Sequence, residues 1–134
     1  DGQMPTEDVY RCYKLLKQDN YDLVKTIRKK RYDGRYRRLL STVYNIIFSF
    51  LFPNIDATDI NSKPKVLTRT LYEQMSLTSN GWFIDAEIMI SAHNLSANIG
   101  QIDTYFFRHS HRSSFVKPTS IFEFLFFFTW SIRE

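Results

Sequence analysis

The sequence contains few of the residues that several common kinds of protein chemistry require. Its single cysteine, Cys12, excludes an internal disulfide bond and favours a reducing compartment. Only four glycines occur in 134 residues, and no glycine-rich phosphate-binding loop, nucleophile elbow or CxxC pair is present. These chemistries have no support in the sequence, so a functional site has to be sought among other residues.

Long apolar segments are also missing. No uninterrupted apolar run reaches the roughly 18 to 20 residues needed to cross a bilayer, and the chain begins at Asp1 without a basic-then-apolar leader. A length of 134 residues suits one domain, 1–134, with a real core. We therefore expect a cytoplasmic protein, and the abrupt polar start leads us to expect that the sequence is part of a longer chain.

Basic residues are concentrated in residues 25–41. This stretch holds eight of the eighteen basic residues and only one acidic residue, Asp33, so its charge is +7, while the rest of the chain carries −3 and the net charge is +4. So many cations between a predicted strand and a predicted helix indicate an anionic ligand, most simply a phosphate or diphosphate. A solvated basic loop that binds nothing in particular is the alternative. The concentration of charge in one place argues against a general nucleic-acid binder.

Hydrophobic periodicity predicts alternating helices and strands. Helices are predicted over residues 4–18, 36–52, 69–75, 82–95 and 119–132. Strands are predicted over residues 21–28, 65–68 and 99–107, with a basic loop over 29–35 and a second basic loop over 108–117. This alternation indicates an α/β protein with a mixed sheet of few strands and flanking helices.

Two arginines and a serine form the first candidate site. Arg28 ends a predicted strand, and Arg37 and Ser41 lie four residues apart at the start of the next predicted helix. Guanidinium groups bind phosphate oxygens in pairs, and helix N-termini favour anions. A solvated basic turn remains the alternative interpretation.

Two carboxylates form the second candidate site. Asp85 and Glu87 stand beside Trp82 and Phe83 at the start of a predicted helix. A carboxylate in an apolar wall can act as a general base, because burial raises its pKa. The commoner role for such residues is to complement the helix dipole.

The first three residues offer a third candidate site. Asp1 and Gln3 supply a carboxylate and an amide oxygen, which are hard ligands suited to Mg²⁺ or Mn²⁺ carrying a diphosphate. A polar chain end without a ligand is the alternative.

The C-terminal segment is unusually rich in phenylalanine. Between Lys117 and Arg133 the only charged residue is Glu123. A helix of this composition can lie in the plane of a membrane interface, or it can be buried. Together with the basic loop it supports an alternative function, a non-enzymatic module that docks on anionic membranes.

In chain order, these pieces resemble consecutive motifs of glycosyltransferase family 2, of the polyprenyl-phosphate, dolichol-phosphate mannosyltransferase-like type. The family motifs are Asp-x-Asp continued as Asp-Gly-Gln, Gly-Ser/Thr-Arg, Arg-x-x-x-Ser followed by Asn, Asp-x-x-x-Gly-Phe-Lys, Trp-Phe-x-Asp-x-Glu, and Arg-x-x-Gly-x-Ser. The similar residues are Asp1-Gly2-Gln3, Thr26-Ile27-Arg28, Arg37 with Ser41 and Asn45, Asp59 to Lys65, Trp82 to Glu87, and Arg108 with Ser113. The chain departs from the family where Lys63-Pro64 replaces Gly-Phe and where His111 replaces the loop glycine.

The resemblance implies the C-terminal portion of a GT-A fold, a Rossmann-like nucleotide-diphospho-sugar transferase fold whose nucleotide-binding half precedes Asp1. It implies transfer of a sugar from a nucleotide diphosphate sugar to a polyprenyl phosphate or a glycan acceptor, at the inner face of the membrane. A divalent metal, Mg²⁺ or Mn²⁺, would be held by Asp1 and Gln3. Arg28, Arg37, Ser41 and Arg108 would bind donor or acceptor phosphate. Asp85, with Glu87 beside it, would be the base for a hydroxyl acceptor, and the chain alone is expected to be inactive.

Overall fold

The computed structural model describes residues 4–31, 35–56, 58–81 and 83–107. Within these residues it contains four helices and three strands. In chain order they are α1 (Glu7–Gln18), β1 (Leu23–Arg31), α2 (Arg35–Leu51), β2 (Lys65–Leu67), α3 (Arg69–Gln74), α4 (Ile84–Asn94) and β3 (Ile99–Phe106). The predicted order of elements is confirmed over this part of the chain. The predicted C-terminal helix lies outside the described residues.

The three strands form one mixed sheet in the order β2-β1-β3. The central strand β1 runs parallel to β3, from Leu23 opposite Ile99 to Arg31 opposite Phe106. It runs antiparallel to the short strand β2, with Lys25 opposite Lys65. A mixed sheet with flanking helices is thus confirmed, and the protein is α/β.

Alternate residues of β1 face two different cores. Leu23 packs into the larger cluster, with residues of α2, α3 and α4 such as Phe48, Leu71 and Met89. Its neighbour Val24 packs into a smaller cluster with Cys12 of α1. Because adjacent strand residues point to opposite faces, α1 covers one face of the sheet and the other helices cover the opposite face.

The ends of the helices follow ordinary local chemistry. Helix α1 has two acidic residues in its first turn and Lys17 in its last, which matches the helix dipole. It ends before Asn20, which adopts a left-handed backbone with φ of 53° that asparagine tolerates better than most residues. Helix α3 begins after Thr68, whose hydroxyl accepts the backbone N–H of Leu71 at 3.2 Å.

Most predicted boundaries are shifted by one to three residues, as at the start of α1, which is Glu7 and not residue 4. The end of β1 is the shift that bears on the site. The basic loop was expected to start at Lys29, but β1 continues through Arg31. The reason is pairing with β3, since Lys30 lies opposite Tyr105 and Arg31 opposite Phe106 after an irregularity between Arg28 and Lys30. Backbone hydrogen bonds to a neighbouring strand therefore extend the strand where side-chain composition indicated a loop.

Candidate active site

The candidate site lies along the edge of β1 beyond Lys25, where its pairing with β2 stops. β2 begins at Lys65, opposite Lys25 near the start of β1, whereas β1 and β3 continue together in parallel to Arg31 and Phe106. The first turns of two helices contact this part of the sheet. Thr104 of β3, opposite Arg28, donates to the carboxylate of Asp8 in α1, and Lys65 contacts Asp85 in α4.

Arg28 is held at this edge by Asp59. The guanidinium makes a fork with both carboxylate oxygens, through Nε at 2.8 and 3.0 Å and through Nη2. The same carboxylate accepts the backbone N–H of Arg28 at 2.8 Å. The guanidinium also lies over the ring of Phe106, 5.2 Å from its centroid. Arg28 is thus a rigid, nearly buried cation whose charge is balanced by Asp59.

The segment from Thr58 to Lys65 runs along β1 where β2 no longer pairs with it. The Ser62 hydroxyl donates to the carbonyl of Thr26, and the Thr26 hydroxyl donates to the carbonyl of Lys63 at 2.9 Å. Side chains therefore supply the hydrogen bonds that a longer β2 would have made. This segment carries charged residues to the sheet edge instead of a regular strand.

The same segment binds the Asp85 carboxylate. Lys65 Nζ lies 2.7 Å from Asp85 Oδ1, and Lys63 Nζ lies 3.5 Å from Oδ2. Lys65 is nearly buried and also donates to the Ser62 carbonyl at 2.8 Å, whereas Lys63 is largely exposed. Burial lowers the pKa of Lys65 despite the opposing effect of Asp85. A carboxylate between two ammonium groups, one of them open to solvent, can orient a polar ligand or accept its proton.

A second lysine is buried beside this cluster. Lys25 is fully buried, and its Nζ donates to the carbonyl of Thr58 at 2.6 Å. Burial lowers its pKa, while the carboxylates of Asp56 and Asp59 act in the opposite direction. The segment from Thr58 to Lys65 is therefore attached to the sheet by a cation at each end, Lys25 and Lys65.

The wall behind Asp85 includes Tyr44 of α2. Burial raises the pKa of the Tyr44 phenol above the ordinary value of 10.0, and the negative charge of Asp85 raises it further. The phenol therefore remains neutral under physiological conditions. An uncharged aromatic wall lowers the local dielectric around the Asp85–Lys65 pair.

Glu87 has a different set of contacts from Asp85. Its carboxylate accepts the backbone N–H groups of Thr78 at 2.8 Å and Ser79 at 3.0 Å, together with the Thr78 hydroxyl at 3.0 Å. Burial acts to raise the pKa of Glu87, but these hydrogen bonds outweigh it and hold the pKa below its ordinary value. Its contacts fix the loop before α4, so the structure gives Glu87 a structural role.

The structure gives less information about the remaining predicted site residues. Arg37 lies in the first turn of α2, and Ser41 follows on the same helix, half-buried. The described contacts bring Arg28, Asp59 and Asp85 together through residues 58–65, and none of them joins Ser41 to Arg28. The predicted metal ligands Asp1 and Gln3 and the predicted phosphate ligand Arg108 lie outside the described residues.

Over residues 4–31, 35–56, 58–81 and 83–107 there is no group of three or more His, Cys, Asp or Glu side chains placed to hold a metal ion. Over the same ranges, no helix is both long and apolar enough to cross a membrane. The predicted metal site at Asp1 and Gln3 stays a prediction, because both residues lie outside the described part of the chain.

Sequence reasoning did not identify Lys25 or Lys65 as part of the site. A signal for Lys25 was present, because it follows Leu23 by two residues and therefore shares the inward face of β1. Lys65 lies two residues before Leu67, which packs against the core in the same way. A lysine that faces the core must have a partner for its buried charge, so such a lysine predicts a carboxylate or carbonyl oxygen nearby.

Comparisons with protein-family models, curated proteins and solved structures found no match for this chain.

Proposed function

We propose that this chain is the C-terminal part of a GT-A glycosyltransferase domain that transfers a sugar from a nucleotide diphosphate sugar. One observation carries the proposal. Three segments resemble separate family motifs, and the middle one, Asp59 to Lys65, contacts both of the others, at Arg28 and at Asp85 in the first turn of α4. This pattern of contacts is what the family resemblance leads us to expect of motifs that serve one site.

The charged groups divide into two roles. Arg28 is fixed by Asp59 through Nε and Nη2, and because a guanidinium carries five N–H donors, its other terminal nitrogen is the group to contact a phosphate oxygen. Asp59 balances the charge of Arg28, so net attraction for an anion would come from other cations of residues 25–41, such as Arg35, which is exposed at the start of α2. The proposed phosphate site thus combines one oriented hydrogen-bond donor, Arg28, with the attraction of less precisely oriented cations.

Asp85 is the proposed base when the acceptor is a hydroxyl. It receives a positive partner on each oxygen, Lys65 and Lys63, which hold its orientation at the mouth of the site. A polyprenyl phosphate acceptor is already a nucleophile and needs no base. Asp85 would then orient Lys63 toward the acceptor phosphate.

Mg²⁺ or Mn²⁺ completes the proposal. A carboxylate and an amide oxygen suit either ion, and Asp1 and Gln3 supply these two groups. When bound, the ion would neutralise the charge of the leaving nucleoside diphosphate. The reaction would take place at the inner face of the membrane if the acceptor is a polyprenyl phosphate.

The test is sugar transfer by the chain joined to whatever sequence precedes Asp1 in its gene, and by the chain alone. Radiolabelled UDP- and GDP-sugars with Mn²⁺ are offered to a polyprenyl phosphate and to a saccharide. We expect transfer from the longer protein and none from the chain alone. If the longer protein neither transfers sugar nor binds UDP or GDP in the presence of Mn²⁺, the proposal is wrong.

Asp85→Asn separates the two acceptor classes. General base catalysis contributes about 10²–10⁴-fold, so transfer to a hydroxyl should fall by that factor while transfer to a phosphate changes little. Glu73→Gln is the matched control, because Glu73 lies on α3 and pairs only with exposed Arg69 at 2.7 Å among the described ion pairs. Donor binding should be retained in both variants.

A further inference from the structure

Helix α2 has three different faces. The inward face carries Tyr44 and Phe48, which are buried in the core. One outward flank is polar and includes Thr42 and Ser49, both exposed. The other outward flank is apolar, and its residues follow one another at intervals of three or four, which places them on one line along the helix. This apolar flank consists of Tyr36, Leu39, Val43, Ile46 and Phe50.

The apolar flank is open to solvent. Leu39, Ile46 and Phe50 are 60%, 63% and 85% exposed, although they are among the most hydrophobic residues. Single exposed apolar residues are common on soluble proteins, but a contiguous row along three helical turns marks an interaction surface. No charged residue interrupts it, since residues 39–55 contain none.

The start of the same helix is cationic. Arg35 and Arg38 are exposed there, and the first turn contains no acidic residue. Cations at a helix N-terminus are repelled by the positive end of the helix dipole. An anion bound nearby would offset this repulsion. An apolar row beside a cationic end complements a surface that is apolar inside and anionic outside.

Helix α1 shows that exposed apolar residues alone do not make such a surface. Tyr10 and Tyr13 are also exposed, but they are interleaved with Arg11 and Lys14, and Arg11 pairs with Asp8 at 2.7 Å. Among the described helices, α2 alone combines an uncharged apolar flank with an acid-free cationic first turn.

We propose that the apolar flank of α2 docks on an anionic lipid bilayer, with the helix axis in the plane of the interface. Leu39, Ile46 and Phe50 enter the acyl boundary, while Arg35 and Arg38 contact lipid phosphates. In-plane helices bind by buried apolar area together with attraction to anionic lipid. This assigns membrane contact to α2, and the assignment does not depend on glycosyl transfer.

The test uses the 134-residue chain and sedimentation with vesicles of phosphatidylcholine, alone or with about one third phosphatidylglycerol. The wild-type chain should bind the anionic vesicles, and binding should weaken as salt rises. The double variant Ile46→Ser/Phe50→Ser should bind at least tenfold more weakly. Each of Arg35→Ala and Arg38→Ala should lose about fivefold, and this loss should disappear at high salt.

Two controls match these changes. Tyr72→Ser removes another large exposed apolar side chain, from α3, and Lys17→Ala removes an exposed cation at the end of α1; neither should alter binding. Circular dichroism confirms that each variant is folded. Equal binding by the wild-type chain and the Ile46→Ser/Phe50→Ser variant overturns the proposal. So does a wild-type dimer that this double variant dissociates without a change in vesicle binding, because the flank would then join two copies of the chain.

Discussion

Arg28 and Asp59 are joined by both the side chain and the backbone of the arginine. The carboxylate accepts the guanidinium Nε and the Arg28 backbone N–H, each at 2.8 Å at its Oδ2. Both side chains are nearly buried. Asp59 has a left-handed backbone with φ of 48°, a conformation that aspartate and asparagine adopt more readily than most residues. This pair therefore joins the middle of β1 to the start of the segment that reaches Asp85.

Asp59→Asn tests the pair without changing the backbone preference. The substitution removes the charge that compensates a buried guanidinium, and breaking such a pair costs about 3 kcal/mol or more. We expect the free energy of unfolding in urea to fall by that amount. Asp103→Asn is the control, because Asp103 pairs with Lys29 at 3.6 Å on the exposed surface and such pairs contribute less than about 1 kcal/mol. Equal losses for the two variants would contradict the buried role of Asp59.

The sequence predicts the order of elements well because each one has its own periodic pattern. The strand β3 is an example: Thr104 and Phe106 are buried while Asp103 and Tyr105 are exposed, as the alternation predicts. The extension of β1 through Arg31 was missed because it depends on pairing with a strand that lies about 75 residues further along the chain, at Tyr105 and Phe106. Local composition cannot report such a contact.

The sequence predicts only part of the site, because the rest depends on contacts between distant segments. Spacing identified Arg28 and Asp85 as chemically suited residues, and the structure joins them through one segment. Spacing could not show that Asp59 and Lys65 would be their partners, because ion pairs between loops and strands depend on the path of the chain. The hydrogen bonds of Glu87 to the backbone of residues 78 and 79 could not be predicted either. An acidic residue in the first helical turn has the same sequence pattern whether it complements the helix dipole or binds a preceding loop.

Gly100→Ala should destabilise the protein through Tyr21. A Cβ at position 100 would lie 2.8 Å from one ring carbon of Tyr21 and 2.9 Å from another, closer than atoms can approach. Overpacking of this kind costs about 1–3 kcal/mol. In a Tyr21→Ala background the same substitution should cost less than about 0.5 kcal/mol, measured by urea unfolding in a double-mutant cycle. Additive losses would show that the ring is not the cause.

Glu87→Gln should loosen the loop before α4. The substituted amide has one acceptor oxygen where the carboxylate has two. The side chain can therefore no longer accept the Thr78 N–H on one oxygen and the Ser79 N–H on the other. Loss of a hydrogen bond to a charged group costs about 1–2 kcal/mol, and partial solvent exposure places the expected cost at the lower end. Amide hydrogen exchange at Thr78 and Ser79 should accelerate, while exchange at Thr26 in β1 stays unchanged. An unchanged rate at both loop positions would contradict the brace.

The Cys12 thiol should be unreactive in the folded protein. Burial, aided by Asp8 and opposed by Arg11, raises its pKa from 9.0 to about 11. Since the thiolate is the reactive form, a disulfide reagent at pH 8 should label Cys12 slowly in buffer and rapidly in urea. The rate of labelling then reports unfolding. Rapid labelling in buffer alone would show that α1 leaves the sheet at low cost.

The stability of the protein should rise and then fall as the solution becomes alkaline. Burial lowers the pKa of Lys25 and Lys65 below 10.5, so between their folded values and 10.5 the unfolded chain holds more protons and stability rises with pH. The pKa of Tyr44 is raised above 10.0, so the unfolded chain loses that proton first and stability falls above this pH.

Cys12 would add to this fall, because its pKa is also raised, and stability therefore decreases from pH 9.0 upward on its account. The measurement uses Cys12→Ala as the parent protein to remove this contribution. In urea unfolding across this range, Lys25→Met should weaken the rise and Tyr44→Phe should weaken the fall. A rise that persists unchanged in Lys25→Met would mean that Lys25 is not buried as a cation.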